Sequence, residues 1–334
     1  MEETTEIRGV ADRYDRIIDY LRISITDRCN LRCVYCMPSK GVPLLRHTAL
    51  LTYEEILRTV RIAACLGVRK IRITGGEPLI RKNLSWLIAS IHRVPGIEDI
   101  SLTTNGLLLL DTIGALSSAG LTRINVSVDS LIPERYAEIT RGGSLDKVLA
   151  GIRRAAELGI RPIKINMVPI RGVNDDEIMA FARLTRDTQY DVRFIEFMPT
   201  GANDFWSPDR VVTTDQIMQR VQELGALSPI RHRKDGPARY YSLAGAQGVI
   251  GFISPISHHF CGSCNRLRLT SDGKLRPCLF SETEIDLKSA MRRGAPDSEL
   301  ERLLRLAIEV KPQAHTLTST PLVRDRRPMS AIGG

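Results

Sequence analysis

The sequence predicts an α/β fold: a partial (β/α)6 barrel of parallel strands, with a smaller C-terminal region capping the barrel mouth. Three observations carry this. From Leu21 to Met198, six short β-branched runs alternate with longer helical patterns. Near-continuous apolar strands joined by helical crossovers make a parallel sheet covered by helices. The unusual motifs fall just after the strands, where α/β folds gather their chemistry. Beyond Pro199 the alternation fades, so the chain divides into a barrel over 1–200 and a C-terminal region over 201–334, in keeping with about two domains for 334 residues.

Element by element, the strands are LRISIT (21–26), KIRIT (70–74), DISLTT (99–104), RINVSV (123–128), IKINMV (163–168) and VRFIEFM (192–198). Helical patterns fill 52–66, 83–93, 107–119, 133–158 with a break near Gly142, and 174–188. A helix follows over 213–224, then a hairpin-like stretch over 240–253 and helices from about 285 to 310. By composition, the tail from Lys311 reads as irregular and exposed, because little apolar periodicity would bury it.

A chain with 43% hydrophobic and 25% charged residues belongs to the soluble globular class and is not collagen-like, coiled-coil or disordered. No window approaches eighteen uninterrupted apolar residues, and MEETTEIRGV is too acidic and polar for a secretory signal. A cytoplasmic location with no membrane partner is expected. Lys and Arg outnumber Asp and Glu by 47 to 38. This mild excess suits an anionic small substrate better than nucleic acid, for which 5% aromatics offer few stacking platforms.

Of seven cysteines, six fall in two groups of three, which in a reducing compartment points to metal rather than disulfides. Cys65 lies in an amphipathic helical pattern and reads as a core thiol. Cys29, Cys33 and Cys36 form C-x3-C-x2-C on a loop leaving the first strand. A structural zinc site wants four ligands, and His47 is the only local candidate; an iron–sulfur cube on three cysteines instead leaves one iron open. Gly75, Gly76, Glu77 and Pro78 follow the second strand; taken alone, GGEP is a tight turn.

Cys261, Cys264 and Cys278 form C-x2-C-x13-C. A hairpin about Asp272 and Gly273 folds Cys278 back beside the CxxC pair. With His258 or His259 as a fourth ligand this also reads as a zinc knuckle. Arg266 and Arg268, two apart on a strand, project from one face and suit bidentate phosphate binding. The alternative is a basic edge strand that discourages aggregation.

At the first loop the chain resembles the radical S-adenosylmethionine enzymes, with Tyr35 in the aromatic position before the third cysteine and GGEP matching their second motif. With two three-cysteine groups, the stretch CNRLRLTSDGKLRPCLF and a terminal Gly333-Gly334, it resembles more narrowly the GTP 3′,8-cyclase family of molybdenum-cofactor biosynthesis. The likeness runs from Asp12 to the C-terminus and is weakest over 205–250. It implies two 4Fe–4S clusters, the first on Cys29, Cys33 and Cys36 cleaving S-adenosylmethionine, and the second on Cys261, Cys264 and Cys278 presenting an open iron to guanine. Tyr35, Gly76, Ser127 and Met198 would line S-adenosylmethionine. Arg22, Arg72, Thr103, Lys164, Arg266 and Arg268 would hold GTP, and Gly333 and Gly334 would insert into the active site.

The resemblance further implies an electron-donor protein and a downstream enzyme that converts the product to cyclic pyranopterin monophosphate, and it leaves room for a homodimer. Two other classes answer to parts of the sequence. Another radical enzyme with an auxiliary cluster, such as a peptide modifier, shares the first motif but usually carries more C-terminal cysteines. A zinc-dependent nucleic-acid-binding module uses the CxxC hairpin and leaves the first motif unexplained.

Overall fold

Strands β1 (Tyr20–Ser24), β2 (Lys70–Thr74), β3 (Asp99–Thr104), β4 (Arg123–Ser127), β5 (Ile163–Met167) and β6 (Asp191–Ile195) run parallel and adjacent in chain order. The protein is described by a computed structural model over residues 9–200, 205–230, 236–315 and 327–333. Helices α1 (Tyr53–Cys65), α2 (Leu84–His92), α3 (Leu109–Ser118), α4 (Pro133–Thr140), α5 (Leu145–Glu157) and α6 (Ile178–Asp187) form the crossovers. The break near Gly142 is real: Arg141 and Gly142 both take positive φ between α4 and α5, a conformation that ends a helix. Helix α1 starts in a capping box between Thr52 and Glu55 and buries Ile56, Val60, Ala63 and Ala64. Cys65, at its last position, is exposed; the expected core thiol faces away from the buried stripe.

The C-terminal region extends the same sheet at both edges. After α7 (Thr214–Gln222), the antiparallel strands β7 (Leu227–Pro229), β8 (Arg239–Leu243) and β9 (Val249–Ile253) add through a parallel pairing of β9 with β6. Strand β10 (Arg266–Leu269) lies parallel to β1, and β11 (Lys274–Arg276) and β12 (Ile285–Asp286) follow it outward. Helices α8 (Leu287–Arg292) and α9 (Asp297–Glu309) cover this edge, and α10 (Met329–Ile332) ends the described chain. The sheet order is β12-β11-β10-β1-β2-β3-β4-β5-β6-β9-β8-β7, an open barrel whose parallel part has eight strands.

The strands are not apolar throughout. Their outward residues, such as Leu21, Ile23, Ile71, Ile73 and Val126, pack under the helices in the main core. In the register the alternate positions Arg22, Arg72 and Ser101 stand side by side, as do Asn125 and Lys164. These polar groups are buried. Because successive side chains point to opposite faces, one face of each strand builds the core and the other lines the barrel. The apolar reading of these strands missed that division. The tail also departs from its composition: Lys311 is 2% exposed, and Ser330, Ala331 and Ile332 are buried.

Candidate active site

One cavity runs from the first cysteine loop to the second, lined by all six grouped cysteines. Tyr35, Gly76, Ser127 and Met198 line its first end, with Arg22, Arg72, Thr103, Arg266 and Arg268 along its length. Lys164 is not among the lining residues. It lies beneath, 1% exposed, with its Nζ 3.1 Å from the Tyr240 hydroxyl.

The loop after β1 is held by GGEP. The Gly76 amide donates to the Thr26 carbonyl and the Glu77 amide to that of Arg28, both at 2.7 Å. A Cβ on Gly76 would sit 2.1 Å from the Arg28 carbonyl oxygen, so only glycine permits this approach. The buried Glu77 carboxylate accepts from the amides of Leu79 and Asn105 and from the Thr104 hydroxyl. Burial nevertheless pushes it up to about 7. Asp129 accepts from the Tyr35 hydroxyl at 2.6 Å and the Val168 amide at 3.0 Å, and burial brings it to about 6. Burial, the neighbouring thiols and Asp129 hold the Cys33 and Cys36 thiols above their usual range.

At the other end, β10 sets Arg266 opposite Tyr20 and Arg268 opposite Arg22, so a sequence-distant pair joins the arginines of β1 and β2. Arg22, Arg72 and Arg268 are buried, and burial and the neighbouring guanidiniums lower Arg22 and Arg268, the latter to about 10. Arg72, Arg266 and Arg268 make no ion pair with a carboxylate among the described residues. Such a cluster repels itself in the absence of an anion, an arrangement suited to a polyanion. Thr103 Oγ1, buried with no partner among the described residues, adds a waiting hydrogen-bonding group.

Neither cysteine trio fits a single ion. Thiolates on one zinc stand about 3.8 Å apart. Among the described residues, the one set of three ligand atoms all within 4.8 Å of each other is His259, Cys261 and His315. The wider spacing of both cysteine trios fits a cube, and among the described residues no fourth cysteine joins either trio. His47 is exposed and off the cavity, and His258 pairs with Asp215, whereas His259, the other fourth ligand considered, stands beside Cys261. Around the second trio, burial raises the Cys264 thiol, but Arg266 and Lys311 outweigh it and bring it down to about 6.

Several residues that build the cavity and its margins were not singled out in the sequence. Arg193 crosses the barrel to Asn166 and Asn125 at 2.8 and 2.6 Å. Lys311 donates to the carbonyls of Arg266 and Pro277. Arg16, paired with Asp12, donates to the carbonyls of Cys261, Pro312 and Gln313, tying the segment before His315 to the second cysteine loop. The buried Glu196 accepts from the amides of Thr214, Ile256 and Ser257, bracing the approach to that loop. Nothing local distinguishes these positions.

The tail reaches the cavity: Met329 and Ser330 line it, and Arg268 donates to the Gly333 carbonyl at 2.6 Å. Gly333 takes φ +85°, and a Cβ there would lie 2.6 Å from Thr74 Cγ2. Gly334 lies outside the described residues.

A family model described as Radical SAM superfamily matches residues 23–185, and one described as Molybdenum Cofactor Synthesis C matches 190–317. The GTP 3′,8-cyclase of Syntrophomonas wolfei subsp. wolfei is 51% identical over 324 residues, covering 97% of this chain and 99% of that protein. That of Pelotomaculum thermopropionicum is 52% identical over 325 residues, with the same coverage. Among solved structures, Streptococcus suis SuiB matches at TM-score 0.58 and 15% identity, over 82% of this chain and 64% of that one, a likeness of fold alone. No helix among the described residues is long and apolar enough to cross a membrane. At about half identity over nearly the full length of both chains, this chain belongs to the GTP 3′,8-cyclase family of the radical S-adenosylmethionine superfamily, whose members use a 4Fe–4S cluster and S-adenosylmethionine.

Proposed function

We propose that this chain cyclises GTP to 3′,8-cyclo-7,8-dihydro-GTP, an early step of molybdenum-cofactor biosynthesis. The observation that carries the reading is the single cavity with a cysteine trio at each end and buried arginines between them. When bound, the first cluster and S-adenosylmethionine, with one electron from a donor, would supply a 5′-deoxyadenosyl radical able to take the ribose C3′ hydrogen. Closing that carbon on guanine C8 would then take a second electron and a proton to give the 7,8-dihydro product. Cys29, Cys33 and Cys36 hold that cluster, while Tyr35, Gly76, Ser127 and Met198 orient S-adenosylmethionine. Cys261, Cys264 and Cys278 would hold a second 4Fe–4S cluster at the nucleotide end of the cavity.

Arg22, Arg72, Arg266 and Arg268 bind the triphosphate, Thr103 offers its hydroxyl, and Lys164 adds charge from the layer below. Gly333 and Gly334 fix the substrate's position. The barrel over 1–200 thus forms the radical and supplies half of the nucleotide site, which 201–334 completes with Arg266, Arg268 and the tail. A cytoplasmic enzyme of this kind draws electrons from a donor protein and passes its product to an enzyme that forms cyclic pyranopterin monophosphate; a homodimer fits the same reading.

Anaerobic incubation of the reconstituted chain with GTP, S-adenosylmethionine and dithionite tests it. The expected products are 5′-deoxyadenosine and the cyclic nucleotide, with deuterium from 3′-labelled GTP carried into the deoxyadenosine. Cleavage of S-adenosylmethionine without label transfer overturns the reading.

A further inference from the structure

Beside the second cysteine trio stands a ligand set of another shape. A ring nitrogen of His259, the Cys261 sulfur and a ring nitrogen of His315 all lie within 4.8 Å of one another. Ligand atoms on one tetrahedral ion, with bonds of about 2.0–2.3 Å, stand roughly 3.4–3.8 Å apart. Small ring movements therefore bring the three together.

The rings are already positioned. His259 and His315 meet edge to face with centroids 4.3 Å apart, and Phe280 packs on His315 at 4.9 Å. His315 Nε2 is 3.0 Å from the Pro255 carbonyl and 2.9 Å from His259 Nδ1. A carbonyl can only accept, so this contact assigns the proton of His315 to Nε2. Its Nδ1 is then a lone pair, buried and without a partner among the described residues. A ring nitrogen donating to a carbonyl while the other offers a lone pair is the arrangement of a metal-ligating histidine. Two imidazoles and one thiolate suit a borderline-soft divalent ion.

We propose that His259, Cys261 and His315 form a mononuclear zinc site that competes with the second cluster for Cys261. The competition rests on the assignment of Cys261 to that cluster; the site itself does not. A thiolate committed to a cluster iron is unavailable to the two histidines, so zinc and cluster exclude each other. The chain can therefore be held with its radical-forming end complete and its nucleotide end unassembled.

The test is an anaerobic zinc titration of the metal-free full chain against a chromophoric chelator. Relative to the parent, His259→Ala and His315→Ala should each weaken one equivalent of zinc by at least about tenfold, while Cys264→Ser and Cys278→Ser should leave it. Zinc absorption at the K-edge should show one sulfur in that equivalent's shell. If the serine variants lose the zinc and the alanine variants keep it, the metal sits on the three cysteines and the proposal falls.

A second arm reconstitutes clusters with one equivalent of zinc present. Iron should drop from about eight to about four per chain in the parent and stay near eight in His315→Ala. Parent iron near eight despite bound zinc overturns the competition. Iron near four even without zinc overturns the second cluster and leaves the zinc site to the first arm.

Discussion

The two cysteine trios open on one cavity and sit in opposite electrostatic surroundings. The first is walled by carboxyls: burial and the charge of Glu77 raise Cys29, and burial and Asp129 raise Cys33 and Cys36. The second is walled by cations, and Arg266 and Lys311 carry Cys264 down to about 6 against its burial. Equal ligand counts therefore serve different ligands. A sulfonium, which is cationic, is stabilised beside the carboxyls, and a triphosphate beside the arginines. The cavity has polarity, with an acidic end that the proposed function assigns to radical formation and a basic end that it assigns to the nucleotide.

The sharpest break in that comparison is to remove one trio at a time. Cys33→Ala should abolish cleavage of S-adenosylmethionine, whereas Cys264→Ala should keep cleavage and lose the cyclic product. Each should leave about four of the eight irons per chain. Chromatographic assay of 5′-deoxyadenosine distinguishes them, and equal loss of cleavage in both variants would mean that the ends are not separate in function.

The basic end is sharpened by its arginines. Truncating one partner of a desolvated charge pair costs about 2–5 kcal/mol, or roughly thirtyfold to several thousandfold in affinity. Arg266→Ala and Arg268→Ala should each lose GTP affinity on that scale by calorimetry, and lose less for guanosine. Equal losses for both ligands would return these residues to the part of a charged strand.

Much of the fold and both cysteine trios were legible in the sequence, but the acidic surroundings of the first trio were not. Helix 52–66 is found as Tyr53–Cys65 and strand 70–74 as Lys70–Thr74, because amphipathic period and β-branching are local signals. The cysteine spacings likewise named both trios. What could not be read is non-local. Strand β10 pairs with β1 across most of the chain, and only that pairing sets Arg268 beside Arg22. Lys311 and His315 lie in an unremarkable stretch that reaches the second trio because Arg16 holds its carbonyls. Lys164 was named only through the resemblance, and its depth below the cavity, on the Tyr240 hydroxyl, depends on strands far apart in the chain.

The tail joins the two ends, and a smaller effect is expected there. Gly333→Ala places a Cβ 2.6 Å from Thr74 Cγ2 at a positive φ, strain of about 1–3 kcal/mol. Cyclic product should fall roughly tenfold to a hundredfold, with GTP affinity reduced far less than in Arg268→Ala. Deoxyadenosine formed without cyclic product is the signature of a substrate no longer positioned for the radical. Turnover at the full rate would leave Gly333 without a role in positioning.

The smallest effect tests the opposed fields directly, through thiol chemistry in the metal-free chain. Only the thiolate attacks iodoacetamide. Cys264 titrates near 6 because Arg266 and Lys311 outweigh its burial, so its thiolate persists as pH falls from 8 to about 6 and is lost below that. A thiolate of lower pKa is also a weaker nucleophile, with a Brønsted slope of about 0.45, which offsets much of the gain. Against an ordinary thiol at about 8.5 the net advantage is only about twofold at pH 7, rising to about tenfold at pH 6. The midpoint of the rate profile is thus more telling than the rate, since access to a half-buried sulfur scales the whole curve without moving it. Mass spectrometry of the Cys264 peptide should place that midpoint near pH 6, while the Cys33 and Cys36 peptides, raised by burial and Asp129, react only in alkali. Coincident profiles for all three would remove the electrostatic contrast and leave the trios distinguished by position alone.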